Sequence, residues 1–158
     1  MPGLQPISPI SNDPRLPNPM LRVTVVALFV DGDEILMLHQ VSPPEPDCWD
    51  LPGGGLEPME PILVGLRREV WEETGIRDFQ CDRLLTVFEQ FFPDADAPTS
   101  HTIHLIHHCT LPGRPAMLQG DPAEVGPKGI QWRAIANLRR EDCSARAWAA
   151  LQAIGKVA

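Results

Sequence analysis

Residues 54–76 read GGLEPMEPILVGLRREVWEETGI, and the fold turns on this stretch. From about Pro61 to Thr74 the apolar positions recur with helical spacing, and Gly75 stands where a left-handed C-terminal cap belongs. At about 100° per residue, Glu69, Glu72 and Glu73 gather on one side of that helix. Beside them runs an apolar stripe of Leu63, Leu66 and Val70, which must face a core. Gly65 falls among the carboxylates, where its missing side chain leaves room for something bulky. Like charges at these spacings repel by a few tenths of a kcal/mol per pair. The segment is therefore either a solvated face or a seat for a cation. Magnesium favours carboxylate oxygens together with substrate phosphates, and the neighbouring glycine run would let a ligand approach the backbone.

Outward from the helix the pattern changes to strands. RVTVVALFV, 22–30, is β-branched and apolar, Asp31-Gly32 is a turn signal, and EILMLHQ, 34–40, is the returning strand. VSPPEPDC, 41–48, reads as a proline-rich loop leading into Trp49, Asp50, Leu51, Pro52 and Gly53-Gly54-Gly55. After the helix, 78–92 reads as a strand with an interruption, 93–100 as a loop, and 101–111 as a half-buried strand. A long loop rich in proline and glycine, 112–128, precedes a last short strand at 129–135. Residues 144–155 form a helix with Ala147, Trp148, Leu151 and Ile154 on one side and Gly155 at its end. Strands mostly in hairpins, with one helix inserted and another at the end, make an α/β or α+β layered fold. The expected organisation is one domain over 21–158, preceded by an extension at 1–20 whose Pro2, Pro6, Pro9, Pro14, Pro17 and Pro19 oppose regular structure.

Composition narrows the function. The chain of 158 residues is long enough for one real core. With 13 basic and 21 acidic residues, the formal charge of -8 opposes non-specific nucleic-acid binding, and an anionic substrate would need a mediating metal. Cys48, Cys81, Cys109 and Cys143 form no CxxC pair. With no signal-peptide pattern, they read as reduced core thiols of a cytoplasmic protein, and no stretch approaches a membrane span.

The 54–76 segment resembles the Nudix box, written G-x5-E-x7-R-E-U-x-E-E-x-G-U with U a bulky apolar residue. Gly54, Glu60, Arg68, Glu69, Val70, Glu72, Glu73, Gly75 and Ile76 meet every fixed position. The flanking strands, the Leu51-Pro52-Gly53 entry and Trp132 extend a weaker likeness over about 22–154. The resemblance implies a mixed sheet sandwiched between helices, with the box as loop-helix-loop. It implies hydrolysis of nucleoside diphosphates linked to another moiety, with Mg²⁺ or Mn²⁺ as cofactor. Carried over by position, Gly53 (through its carbonyl), Glu69, Glu72 and Glu73 would hold metal. Glu69, Glu72 and Arg68 would form the catalytic set, with Glu69 able to serve as general base and Arg68 and Glu60 orienting the carboxylates. Met59 departs from the glycine that family members often carry there, which predicts a local loop difference. Family members commonly dimerise, so a homodimer is one assembly open to the chain.

Outside the box, Glu124 is the natural candidate for a fourth acid, and a loop-surface glutamate is the other reading. His101, His104, His107 and His108 alternate along a strand, which is poor ligand geometry. They read as polar or cleft-lining positions, with His104 or His108 available to substrate. Gly54, Gly55, His104 and Phe92 are the candidate substrate-binding residues. Trp49, Phe91 and Phe92 could stack on a base, but each is more readily explained by packing. The chain has no tyrosine, and the secondary markers of several Nudix subfamilies are absent. The favoured activity is a broad pyrophosphohydrolase acting on an NDP-X, (d)NTP or ADP-ribose-like compound. The competing readings are a silent Nudix domain that binds a nucleotide or a partner, and a Nudix-fold isomerase needing a cysteine–glutamate pair.

Overall fold

The computed structural model describes residues 20–92 and 100–158. The elements are β1 (Met20–Asp31), β2 (Glu34–Gln40), β3 (Cys48–Asp50), β4 (Gly53–Gly55), α1 (Ile62–Thr74), β5 (Gln80–Phe92), β6 (Ser100–Thr110), β7 (Ile130–Ala134) and α2 (Ala145–Ala153). Two single 3-10 turns, Ile135–Asn137 and Arg140–Asp142, precede α2. The expected extension at 1–20 lies outside the described residues except for Met20, which begins β1, and the expected loop at 93–100 lies outside them except for Ser100.

β1 is the hub. Val25, Val26, Ala27 and Leu28 are all fully buried, because a strand covered on both faces must be apolar at successive positions. Alternate residues feed two cores. Val26 and Leu28 join Ile35, Met37, Leu51, Ile106 and the α2 residues Ala147, Ala150 and Leu151. Val25, Ala27 and Phe29 join Leu36, Phe79 and the α1 residues Leu66 and Val70. The sheet therefore lies between the two helices, an α+β sandwich of the expected class.

The sheet runs β3-β2-β1-β6-β5, with β4 also on β1 and β7 also on β2. β1 and β6 are parallel, with Arg22 opposite Thr102 and Thr24 opposite His104. This departs from the expected run of hairpins. β5 pairs antiparallel to β6 with register shifts between Cys81 and Arg83 and between Leu84 and Thr86, the interruption its sequence suggested.

Two expectations about α1 are corrected. Leu63 is 52% exposed, so the core stripe is Leu66 and Val70 alone. The space at Gly65 serves no ligand, since a side chain there would run into Leu56 and the Glu60 carboxylate. Gly75 caps the helix at φ 75°, donating its N–H to the Trp71 carbonyl at 2.8 Å. All four cysteines are free thiols, and among the described residues no helix is long and apolar enough to cross a membrane.

Candidate active site

The glycine run forms a strand against its propensity. β4 pairs with β1 (Val26 opposite Gly53, Thr24 opposite Gly55), and it does so because it lacks side chains. A Cβ on Gly53, at φ 147°, would collide with the Val25 backbone, and one on Gly54 would collide with the Glu69 carboxylate. Close packing of β4 lets the Gly53 N–H donate to Glu73 Oε2 at 2.7 Å. Arg68 organises the other acids. Its Nε and Nη2 grip Glu60 at 2.8 and 2.9 Å, its Nη1 reaches Glu69 at 2.7 Å and Glu72 at 3.2 Å, and Nη2 also donates to the Gly55 carbonyl at 3.0 Å. One guanidinium thus ties the glycine strand to two helix carboxylates.

The glycine run, the helix acids and the β6 strand face one cavity of about 390 Å³. Gly53, Gly54, Gly55, Arg68, Glu69, Glu72, Glu73, Phe92, His104 and Glu124 all line it. The structure therefore brings together the catalytic, metal-holding and substrate-binding sets expected from the sequence, including the two residues placed there without box spacing, His104 and Glu124. His108 does not line it and instead pairs with Asp82 at 3.0 Å. Trp49 belongs to the core, and Phe91 stacks on His101 away from the cavity.

Sequence reasoning missed Arg22, Thr24, Gln40, Asp50, Thr102 and Arg146, which also line the cavity. Arg22, Thr24 and Thr102 share the β1–β6 floor with His104, and only the parallel register reveals them. Arg146 comes from α2 and grips Asp50, far away in the chain, so no local spacing signals it.

Burial and neighbouring charge shift several of these groups. Burial pushes the Glu73 carboxyl up to about 8, against the Gly53 N–H and the Arg146 charge. Burial also raises Glu69, opposed by its hydrogen bond from Arg68 and reinforced by the charges of Glu72 and Glu124. Glu60, gripped by Arg68, is lowered to about 2. Burial, helped by Arg146 and Arg22, lowers His104 to about 4, so its ring is neutral at pH 7. Its Nδ1 lies 2.7 Å from Thr24 Oγ1, while the buried Nε2 has no partner among the described residues. Among the described residues no three of the acids converge into a preassembled cage. Hard oxygen donors crowded into one cavity, two of them raised by burial and mutual charge, fit a divalent cation of the Mg²⁺ class.

The NUDIX domain model matches residues 20–152. The chain belongs to the Nudix family. A mouse protein, diphosphoinositol polyphosphate phosphohydrolase 3-alpha, is 47% identical over 58 residues, which is 37% of this chain and 34% of that protein. A MutT-like protein of Streptomyces ambofaciens is 39% identical over 71 residues, 45% of this chain and 44% of the other. The match thus spans about a third to under half of the length of these curated relatives. A MutT Nudix hydrolase structure from Burkholderia pseudomallei superposes with TM-score 0.69 at 24% identity, covering 85% of this chain and 98% of the other. A UDP-X diphosphatase structure superposes with TM-score 0.60 at 23% identity, covering 90% of this chain and 67% of the other. These likenesses show the Nudix fold.

Proposed function

We propose that the chain is a metal-dependent pyrophosphohydrolase. It cleaves a nucleoside diphosphate linked to another moiety (an NDP-X, a (d)NTP or an ADP-ribose-like compound) by attack of water on a phosphoanhydride. The observation that carries this reading is that Glu69, Glu72, Glu73, Glu124 and Gly53 all line one cavity. The names of two similar proteins, a diphosphoinositol polyphosphate phosphohydrolase and a UDP-X diphosphatase, support a diphosphate linkage as the target.

Gly53, Glu69, Glu72, Glu73 and Glu124 are the residues that would hold Mg²⁺ or Mn²⁺. When bound, the ion supplies neutralisation of phosphate charge and a lowered pKa for water. Glu69 accepts the proton of the attacking water, from a carboxylate that Arg68 holds at 2.7 Å on the wall of the cavity. Glu72 shares Arg68 Nη1 with Glu69, so Arg68 fixes both carboxylates in relation to the glycine strand. Glu73 stays in place through the Gly53 N–H. His104 and Phe92 meet the part of the substrate that does not react.

The test is product release over NTPs, dNTPs, ADP-ribose, nucleotide sugars and dinucleoside polyphosphates, with Mg²⁺ and with EDTA. The expected result is turnover of one class, abolished by EDTA and reduced by orders of magnitude in Glu69→Gln and Glu73→Gln while both variants stay folded. Wild-type rates in either variant would overturn the assignment.

A further inference from the structure

Arg146 is a cation brought into the interior and left with unused donors. It sits in the first turn of α2, behind the Ser144 cap, and its side chain is only 13% exposed. Nε and Nη2 grip Asp50 at 2.9 and 2.8 Å, and Nη2 also donates to the Gly53 carbonyl at 3.1 Å. Asp50 Oδ1 accepts from the Leu51 N–H at 2.8 Å and from the Ser144 hydroxyl at 2.6 Å. The pair is therefore oriented from both sides. Nη1 makes no hydrogen bond to any described residue, and Arg146 lines the cavity that holds the acids. Nη1 is not sealed in the protein and stays open to that cavity, while holding the rest of the guanidinium largely out of water for an ion pair alone gains little. No carboxylate among the described residues takes the Nη1 donors, although Glu69 and Glu73 line the same space.

We propose that Arg146 is a substrate-binding residue whose Nη1 donates to a non-bridging phosphate oxygen of the diphosphate. The inference rests on the phosphoanhydride reading above. Asp50 sets the plane of the guanidinium, so the contact is directional, which a flexible lysine could not reproduce. A fixed cation also answers a need of this cavity, whose carboxylates repel any anion that metal has not fully neutralised.

The test titrates inorganic pyrophosphate calorimetrically into the Mg²⁺-loaded full chain, wild type against the double variant Asp50→Asn/Arg146→Gln. Removing both charges together leaves no buried ion alone. Mn²⁺ affinity is measured in parallel. Pyrophosphate affinity is expected to fall at least about tenfold, the size of one charge-assisted hydrogen bond. Mn²⁺ affinity should stay within about twofold, because Gly53 remains held by β4–β1 pairing and by Glu73. Where a substrate is turned over, KM should rise more than kcat falls. If the double variant does not fold, Arg146→Lys keeps the cation without the planar fork and should show the same loss. Unchanged pyrophosphate binding would make Arg146 a strut of the fold and overturn the proposal. Equal losses of Mn²⁺ and pyrophosphate would overturn it too, placing the effect on the Gly53 carbonyl. A wild-type protein that fails to bind pyrophosphate also overturns it, whereas the hydrolase reading stands or falls separately on the EDTA-sensitive panel.

Discussion

Met59 holds a backbone conformation that costs a methionine free energy. Its φ is 65°, in the left-handed region, and its side chain is fully exposed, so no packing offsets the strain. It lies in the turn where the Glu60 N–H donates to the Glu57 carbonyl at 3.1 Å. This gives a physical reason for the glycine common there in the family. Met59→Gly should stabilise the fold by about 0.5–1 kcal/mol, with Mn²⁺ affinity unchanged, as chemical denaturation and a metal titration would show. A loss of stability would mean that the strain is relieved elsewhere. At this scale the box acids were legible because their spacing places them on one helix face. Arg146 was not, because a single arginine in an amphipathic helix carries no sign of a partner such as Asp50.

At the scale of elements, the long loop before β7 is pinned rather than loose. The Gln119 and Asp121 N–H groups donate to the Thr74 and Glu72 carbonyls at 3.1 and 2.8 Å, satisfying acceptors that the end of α1 leaves open. The Gly126 N–H donates to the His39 carbonyl at 2.8 Å, and between these anchors Glu124 reaches the cavity. Gly120 makes the docking possible, since a Cβ there would collide with the Glu73 carbonyl. Gly120→Ala should therefore cost about 2 kcal/mol of stability and weaken Mn²⁺ binding, by moving both Glu124 and the end of α1. Glu124→Ala should weaken Mn²⁺ binding without the stability loss. Equal metal affinity in all three proteins would detach the loop from the site. The proline and glycine content revealed this loop, but its hydrogen bonds join segments distant in sequence and left no local sign. The same holds for the parallel β1–β6 pair. β3 and β4 were illegible for another reason: three residues show no period, and a glycine triplet argues against a strand.

At the scale of the whole molecule, the buried neutral His104 couples global stability to pH. Its ring is covered on the β6 face, lies 5.9 Å from the Phe88 ring, and has Arg146 and Arg22 opposing its protonation and Asp50 favouring it. The folded-state value of about 4 lies below the unfolded value near 6.5, so the unfolded chain takes up the proton first. The stabilising contribution is complete above pH 6.5 and is lost as the pH falls toward 4. Glu73, raised in the fold, acts with the opposite sign, gaining stability for the native state as the pH falls through about 8. The wild-type profile alone is therefore a sum of opposed slopes. His104→Gln separates them, because it keeps a polar side chain opposite Thr24 and cannot protonate. In EDTA, which removes metal linkage, the stability difference between wild type and His104→Gln should shift in favour of the variant by roughly 2 kcal/mol between pH 7 and pH 4, discounted for water in the cavity. Parallel stability curves for the two proteins would show that His104 protonates in the native state without penalty. Its unpartnered Nε2 would then be open to solvent rather than reserved for a substrate.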